Sequence, residues 1–573
     1  MKRLLPYMKG YWKECILGPI FKLLEAVLEL MVPLVTAQMI DVGIANQDTT
    51  YIWQMGGLLF ILAACGFCFA MVCQYFASKC AYGFGTALRE ALFHHVNLLS
   101  HSSVDRIGTA TLITRITSDT NTVQNGLNMM IRLGTRLPVI IIGSAVMAAR
   151  IDLKLSIIFF IAIPVIGVLL CGITYWTIPQ YGKTQKKLDV IARHTRENLD
   201  GVRVIRAFSK QDEENQVYGE ECEAYAHASV RVGNVSSILN PGSFLIMNLG
   251  IVAVLWFGAS RVDGGSLTQG ELTALVNYMT QISLSMARLA ELLVSFNKAT
   301  ASAKRVSDIL AEEPDITDGS AQLDVAQVDT HVPAVSFQDV TFTYPGGGAP
   351  ALHNIQLELM PGETLGVIGG TGSGKTSVAN LLPRFYDAES GRVQVYGEDV
   401  QRYTLESLRS VMGIVPQKAT LVSGTIRDNL KWGNPDATDE DCIWACKVAQ
   451  AWDFVSQMPD GLDSMITQGG RSLSGGQKQR LTIARALIRR PQILILDDSM
   501  SALDYATDLA LRTALQRELP QSTKIIISQR VTSIQQADHI LVLEEGECVG
   551  YGAHQDLMTS CDVYREIYHT QVQ

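Results

Sequence analysis

A glycine-rich run, GGTGSGKT, follows the apolar stretch TLGVI and leads into a helical pattern. In a strand, glycine turn and helix start of this kind, backbone N–H groups converge on phosphate oxygens at the positive end of the helix. The lysine then places a charge at the β- and γ-phosphates, and the hydroxyl after it is a ligand for Mg²⁺. A tight turn without a ligand would not require these two side chains, so the run predicts a nucleotide site. Its residues are Gly369, Gly370, Thr371, Gly372, Ser373, Gly374, Lys375 and Thr376.

Two adjacent carboxylates end the apolar run ILILDD. Considered alone, the pair also fits a helix N-cap after a core strand. In a chain that already has a phosphate-binding loop, we interpret Asp497 as the Mg²⁺-side acid and Asp498 as the acid that positions water.

A second helix start lies between these motifs, at LSGGQ, and the helix continues as KQRLTIARALIRR. Serine and glycines at a helix start form an anion-binding surface, although a plain N-cap serine would be the better interpretation of the segment alone. One nucleotide hardly needs two such helix ends from the same chain. We therefore predict that this surface closes over the nucleotide of a second subunit. Its residues are Leu473, Ser474, Gly475, Gly476 and Gln477.

The elements that position these motifs differ between the two halves of the chain. A length of 573 residues is typical of three or four units, and charged residues are sparse in several long stretches up to about residue 300. This asymmetry predicts a membrane half followed by a soluble half. The net charge of -9 argues against a nucleic-acid partner. Eleven cysteines without a framework spacing predict reduced, mostly structural residues, and Cys442 and Cys446 lack the companions of a metal site.

Six stretches have the length and apolarity of a helix that crosses a bilayer, which takes about 20 residues. The first and sixth carry charged residues, which we expect to face a bundle interior or a water-filled cavity. The candidates are Cys15–Ile40, Ile52–Phe76, Met129–Ala149, Leu155–Trp176, Ile238–Phe257 and Leu272–Val294. The connections after the second and fourth spans run about 50 to 60 residues, and the later one is rich in Lys and Arg. The positive-inside rule therefore places these connections and both termini in the cytoplasm, with a basic amphipathic helix at the N-terminus.

The predicted fold class is a six-helix, all-α transmembrane domain followed by an α/β P-loop NTPase domain. We place the membrane domain at 1–312, an Asp-rich linker at 313–333 and the nucleotide-binding domain at 334–573.

Taken together, the motifs resemble those of the ATP-binding cassette (ABC) transporters, of the exporter type in which the membrane domain comes first. Tyr344 in FTYPGG is placed like the aromatic that stacks on adenine, and Gln417 in GIVPQ resembles the residue that contacts Mg²⁺ and senses the membrane domain. Asp504 in SALD resembles the aspartate that bridges two cassettes. TATLITRITSDTNTV and ENLDGVRVIRAF resemble the segments whose coupling helices dock onto the cassettes. The resemblance implies ATP and Mg²⁺ as ligands, and ATP hydrolysis coupled to transport across a cell membrane.

Two catalytic positions depart from the family pattern. Asp498 stands where most such ATPases carry Glu, and Gln529 in IIISQR stands where a histidine is usual. A displacement of about 1 Å in a reacting group can cost on the order of 100-fold in rate, and a neutral amide cannot become cationic as histidine can. Both changes predict a site that holds ATP and hydrolyses it slowly. With LSGGQ intact, the pattern resembles the degenerate-site subunit of heterodimeric bacterial multidrug-type exporters, whose partner is a different half-transporter chain.

The sequence leaves the cargo open among drugs, lipids and peptides. Lys22, Glu25 and Glu29 share approximately one helical face, and Arg132 and Arg136 lie one turn apart. They are compatible with contact to a charged substrate or with interhelical pairing. Uptake of a siderophore-type ligand and a slowly hydrolysing homodimer remain alternatives to export by a heterodimer.

Overall fold

The computed structural model describes residues 2–325, 328–329 and 331–572. By their contacts the residues form two units, Met1–His95 with Ala110–Ala311, and Val96–Thr109 with Glu312–Gln573. The predicted linker lies partly outside the described residues, and its described part holds one isolated bridge, from Ala321 to Tyr403. The stretch 96–109, which the sequence analysis placed in the membrane domain, makes its contacts with the second unit.

The amino-terminal part of the chain is helical. A 3₁₀ helix, Lys2–Tyr11, comes first, and π-helical turns at Met39–Ile44 and Arg115–Asp119 follow α1 and α4. The α-helices are α1 (Trp12–Gln38), α2 (Thr49–Leu98), α3 (His101–Ile107), α4 (Thr109–Thr114), α5 (Thr120–Leu133), α6 (Arg136–Ile151), α7 (Leu153–Asp200), α8 (Val202–Ala207), α9 (Gln211–Ser237), α10 (Leu239–Asp263) and α11 (Gln269–Ile309).

Four helical segments in the described part of the chain are long and apolar enough to cross a membrane: Thr49–Leu98, Thr109–Ile151, Leu153–Asp200 and Gln211–Asp263. They contain the second, third, fourth and fifth predicted spans. The first and sixth predicted spans lie on α1 and α11, whose charged residues lower their hydropathy. The count of six spans therefore stays a prediction.

The charged residues in the middle of α1, Lys22, Glu25 and Glu29, are paired within the first unit. Lys22 Nζ lies 2.6 Å from a Glu25 carboxylate oxygen, and Arg136 on α6 donates to Glu29 at 2.8 Å. Because an unpaired charge among apolar helices is costly, these pairs favour interhelical pairing over substrate contact for Glu29 and Arg136. Arg132 has no ion-pair partner among the described residues.

The second unit contains two main sheets. The larger has the strand order β12-β11-β3-β10-β9-β6, in which only β12 is antiparallel, and the smaller is an antiparallel sheet, β2-β1-β4-β5. The strands are β1 (Val335–Phe342), β2 (Leu352–Leu359), β3 (Thr364–Gly369), β4 (Ser390–Val395), β5 (Glu398–Asp399), β6 (Met412–Val415), β7 (Gly424–Thr425), β8 (Met465–Ile466), β9 (Ile493–Asp497), β10 (Thr523–Ile527), β11 (His539–Glu544) and β12 (Glu547–Gly552).

Helices cover the parallel sheet, and for this reason its central strands are buried and mostly apolar. Every residue of β9 and β10 is buried. The helices are α12 (Lys375–Leu381), α13 (Leu405–Ser410), α14 (Ile426–Lys431), α15 (Asp439–Val448), α16 (Trp452–Ser456), α17 (Gly475–Leu487), α18 (Tyr505–Glu518), α19 (Val531–Ile534), α20 (His554–Ser560) and α21 (Asp562–Val572). Because β3, β9 and β10 are parallel neighbours, their carboxyl ends meet at one edge of the sheet, where ligands bind in such folds.

Candidate nucleotide site

The phosphate-binding loop connects the end of β3 to the start of α12. Gly372 and Gly374 have φ angles of 83° and 93°, which an L side chain rarely adopts. A Cβ on Gly369 would lie 2.1 Å from the carbonyl oxygen of Leu543. The turn thus requires glycine at 372 and 374, and the close approach of β11 requires it at 369.

Lys375 is held inside this loop. Its ammonium group donates to the carbonyl oxygens of Gly369 and Gly370 at 2.9 and 2.6 Å, and the residue is 8% exposed. Burial lowers the pKa of Lys375, whereas the nearby Asp498 and Asp497 carboxylates raise it. A buried cation at the N-terminus of an α-helix favours binding of a polyanion, because a phosphate would accept its hydrogen bonds.

A buried hydroxyl in the same loop has no partner among the described residues. Ser373 is 4% exposed, and its Oγ makes no hydrogen bond. A buried polar atom of this kind is costly unless a ligand or water satisfies it. Together with the lysine and the helix start, it fits a bound phosphate group.

Thr376 and Asp497 form an oxygen pair at the base of the loop. The Thr376 hydroxyl donates to Asp497 Oδ1 at 3.1 Å, which joins the first turn of α12 to the end of β9. Burial raises the pKa of Asp497, and the bond from Thr376 lowers it. A hydroxyl and a carboxylate are the hard oxygen ligands that Mg²⁺ prefers, so these side chains fit the predicted metal position.

Asp498 directly follows and has a left-handed backbone, with φ of 42°. Strained backbone of this type is retained where the surroundings fix it, and such residues cluster at functional sites. Gln417, which follows β6, donates from Nε2 to Asp498 Oδ2 at 3.4 Å. Burial raises the pKa of Asp498, and the Gln417 hydrogen bond and the Lys375 and Arg530 charges lower it. The structure therefore brings together the predicted loop lysine, both acids and the Gln417 amide.

Gln529 follows β10 at the same sheet edge, and its backbone is held by a residue that sequence reasoning did not single out. Gln571 on α21 accepts from the Val531 N–H at 2.8 Å and donates to the Gln529 carbonyl at 2.6 Å. Arg530, the next residue along the chain, donates to the Ser501 carbonyl at 3.4 Å. The distance of 42 residues between Gln571 and Gln529 carried no sequence signal.

Tyr344 lies close to the helix that follows the loop. Its hydroxyl accepts from Ser377 Oγ at 3.1 Å, and its ring packs edge-on against Phe342 and Tyr386 at centroid distances of 4.6 and 5.2 Å. The half-buried ring is thus next to the phosphate loop, and stacking on adenine stays a prediction.

Residues 473–477, the surface predicted to close over the nucleotide of a second subunit, lie apart from the phosphate loop, at the start of α17. Ser474 caps the helix: its hydroxyl accepts from the Gln477 N–H, and Gln477 Oε1 accepts from the Ser474 N–H. Ser474 and Gly475 are exposed, and no hydrogen bond among the described residues joins residues 473–477 to residues 369–376. Asp504 caps α18 by accepting from the Thr507 N–H at 2.9 Å.

Helix α3 packs on the aromatic residues at 385 and 386 within the second unit. The His101 ring stacks on Phe385 at a centroid distance of 4.5 Å, and the Tyr386 hydroxyl donates to Asp105 at 2.6 Å. The helix in contact with the α/β core thus immediately precedes TATLITRITSDTNTV, the segment that the sequence analysis proposed for docking.

Comparisons with known proteins agree with this architecture. Family models described as "ABC transporter transmembrane region" and "ABC transporter" match residues 15–286 and 352–501. The chain is 33% identical over 571 residues to the ABC transporter ATP-binding protein YfiB of Bacillus subtilis, covering 100% of this chain and 98% of YfiB. It is 30% identical over 492 residues to an ATP-dependent lipid A-core flippase of Syntrophus aciditrophicus, covering 84% and 80% of the two chains. A solved structure of a bacterial Atm1-family ABC exporter with ATP bound aligns with a TM-score of 0.82 and 24% identity over 99% of both chains. The predicted fold class is confirmed, with the number of spans left open.

Proposed function

Because this chain belongs to the ABC transporters of the exporter type, whose ATPase domain couples ATP hydrolysis to transport, we propose that it is the degenerate-site subunit of a heterodimeric exporter. Its own loop binds ATP and Mg²⁺ but turns over slowly. Its signature surface, residues 473–477, completes the ATP site of a different half-transporter chain. The cargo is a small molecule, a lipid or a peptide.

The observation that carries the proposal is the contrast between the two ends of the nucleotide machinery. The loop holds its binding groups in place, namely Lys375, Ser373 and Thr376. Ser474 caps α17 and is exposed. The two groups that act on the reacting water and the γ-phosphate are weaker than usual. Asp498 is one methylene short of Glu, and Gln529 has no titratable proton. Binding is therefore retained while the chemical step is slowed.

Each group has a definite role in this scheme. Lys375, which bonds the loop carbonyl oxygens, would donate to the β- and γ-phosphates of bound ATP. Thr376 and Asp497 would hold Mg²⁺, which would supply positive charge to the phosphate oxygens. Asp498 orients water, and Gln417 holds the Asp498 carboxylate. Tyr344 stacks on the base, and Asp504 contacts the partner cassette.

The same proposal sets the orientation in the bilayer of the cell membrane. The long connections between spans, the α/β unit and both termini lie in the cytoplasm, as the Lys and Arg distribution predicts. Export rather than uptake then corresponds to transport into inside-out vesicles, and accumulation of cargo in right-side-out vesicles would point to the siderophore-type alternative.

The decisive experiment compares two variants in the transporter purified with its partner. Ser474→Ala removes a group that acts on the partner's nucleotide, so we expect ATP turnover to fall about 100-fold or more. Lys375→Ala weakens the slow site, so most of the turnover should remain. Thr513→Ala, which removes only an exposed hydroxyl bonded to the Leu509 carbonyl within α18 at 2.9 Å, serves as the control.

A homodimer would behave differently, because each of its sites contains both residues. Equal losses in Ser474→Ala and Lys375→Ala would therefore reject the heterodimer, as would fast ATP hydrolysis by the purified chain alone. A neighbouring gene of the same architecture, with Glu and His at the two positions, would identify the partner to co-express.

A further inference from the structure

An apolar cavity of about 180 Å³ lies in the first unit, between the 3₁₀ helix Lys2–Tyr11 and helices α2, α5 and α11. We call it the N-terminal cavity. Among the side chains that line it, Thr300 is the one with a polar group. The walls include Leu5, Met8, Phe84, Leu127, Phe296 and Ala303. None of these residues belongs to the nucleotide site.

The wall residues named on α2, α5 and α11 lie outside the predicted membrane spans, within ten residues of three span ends. Phe84 follows the end of the second span at Phe76, Leu127 precedes the start of the third span at Met129, and Phe296 and Ala303 follow the sixth span. At a rise of 1.5 Å per residue, all of them lie within about 14 Å of a span end along their helices. In the orientation proposed above, these three span ends are all at the cytoplasmic boundary of the bilayer, where acyl chains meet head groups.

Three cations are direct neighbours in the chain of residues that line the cavity. A 3₁₀ helix has three residues per turn, so Arg3 and Lys9 share one edge of the Lys2–Tyr11 helix while the cavity-lining Leu5 and Met8 share the next edge. Lys304 directly follows Ala303 on α11. All three cations are exposed, and none has an acidic partner in residues 2–325, 328–329 and 331–572.

An apolar cavity with unpaired cations next to its lining residues matches the chemistry of an anionic phospholipid, which has apolar acyl chains and a negative phosphate group. We propose that the N-terminal cavity binds one acyl chain of an anionic phospholipid from the cytoplasmic leaflet, and that Arg3, Lys9 and Lys304 hold its phosphate group. Burial of the chain removes apolar surface from water. Leu5, which is 59% exposed although it lines the cavity, is then covered by lipid.

The first test measures lipid binding to the purified transporter by native mass spectrometry, without ATP, so that it is independent of hydrolysis. Each basic residue near a membrane surface contributes about a 5-fold change in affinity for anionic lipid, so the variant with both Arg3→Gln and Lys9→Gln should bind phosphatidylglycerol about 30-fold more weakly. The variant with both Lys183→Gln and Lys186→Gln, two exposed lysines beyond the fourth predicted span, removes the same charge away from the cavity and should bind as the unchanged protein does. Melting temperatures report whether each variant is folded.

Equal affinity for phosphatidylcholine and phosphatidylglycerol would overturn the proposal, as would equal effects of the Arg3 and Lys9 double variant and of the Lys183 and Lys186 double variant. Glycerol phosphate serves as the head group alone. If it competes as well as the intact lipid, the site holds an anion and not an acyl chain, which also overturns the proposal.

A second test identifies the occupant directly. A photoreactive p-benzoylphenylalanine in place of Leu5 should crosslink to a phospholipid in vesicles of phosphatidylcholine and phosphatidylglycerol. Crosslinking to another protein chain would assign the cavity to an interface, and crosslinking to exported cargo would assign it to the transport path. Either result would reject the lipid site, and neither would bear on the degenerate ATP site.

Discussion

Lengthening the acid at position 498 should accelerate hydrolysis at this chain's own site. Asp498 Oδ2 lies 3.4 Å from Gln417 Nε2 at the mouth of the phosphate loop. Asp498→Glu adds one C–C bond, which moves the carboxylate by about 1.5 Å. Because a displacement of about 1 Å in a reacting group changes rates on the order of 100-fold, we expect a gain of about 100-fold in phosphate release. Adding Gln529→His should increase the rate further, because histidine exchanges protons near neutral pH.

The same substitution should lower stability. Asp498 has a φ of 42°, and Asp tolerates the left-handed region better than Glu does. A penalty of about 1 kcal/mol would lower the melting temperature by a few degrees. Higher activity together with lower stability is not expected from a variant that simply improves folding.

The assay uses the purified chain without a partner. A homodimer of this chain pairs its own loop with its own intact Ser474 surface, so phosphate release reports on the catalytic acid alone. Asp453→Glu, an exposed acid on α16, receives the same methylene away from the site and should leave the rate unchanged. If Asp498→Glu with Gln529→His binds ATP and still releases phosphate at the original rate, the shortened acid and the missing histidine do not explain a slow site.

Three further outcomes follow from contacts in the second unit. Thr376→Val removes the hydroxyl that donates to Asp497 and that is the predicted Mg²⁺ ligand. The gain in ATP affinity that Mg²⁺ gives should disappear, a loss of about 10-fold, which corresponds to one buried hydrogen bond. Nucleotide titrations with and without Mg²⁺ measure it. Burial and the Arg409 charge lower the pKa of His101 in the folded protein. The stability that the neutral, stacked His101 contributes is therefore fully present above the ordinary histidine pKa of about 6.5, and it is lost as the pH falls through the lower pKa of the folded state. The melting temperature of His101→Phe should depend less on pH in this range. Gln571→Ala removes two hydrogen bonds from the Gln571 side chain to the backbone at 529 and 531, each worth about 1 kcal/mol. Hydrogen exchange at the Val531 amide should therefore accelerate at least 10-fold. Exchange as slow as in the unchanged protein would show that α21 does not hold the segment 529–531.

The sequence predicted the parts of the site that are local in the chain. A glycine run that must turn between β3 and α12, and two acids at the end of a buried strand, are set by neighbouring residues. Their positions follow from strand order, because β3 and β10 are parallel neighbours and β10 pairs with β9. The pairing of Thr376 with Asp497 is a consequence of that order.

Contacts between distant residues could not be predicted in the same way. The Gln571 bonds to the segment at 529–531 depend on how α21 packs, which no periodicity specifies. The helix that contacts Phe385 and Tyr386 is α3, whose sequence HSSVDRI has no strong apolar pattern. Its position depends on bonds from Ser102 and Ser103 to Asp315, on the aromatic stack and on the Tyr386–Asp105 bond, and every one of these partners lies more than 200 residues away in the chain.

The backbone contacts around Gln529 bear on how the proposed slow site keeps its geometry. Gln571 holds the segment 529–531 against α21, and Arg530 holds it against the segment after β9. Both make bonds to main-chain atoms, which do not depend on the side chain at 529. A histidine-to-glutamine change therefore leaves the scaffold intact and alters only the chemistry that the segment presents to the γ-phosphate. Asp498 differs, because its φ of 42° suits Asp better than Glu, although its N–H donates to the Ile527 carbonyl at 3.0 Å. Geometry and chemistry are therefore separable at position 529, which is what the proposed slow site requires if it is to bind ATP while its own chemical step is slow.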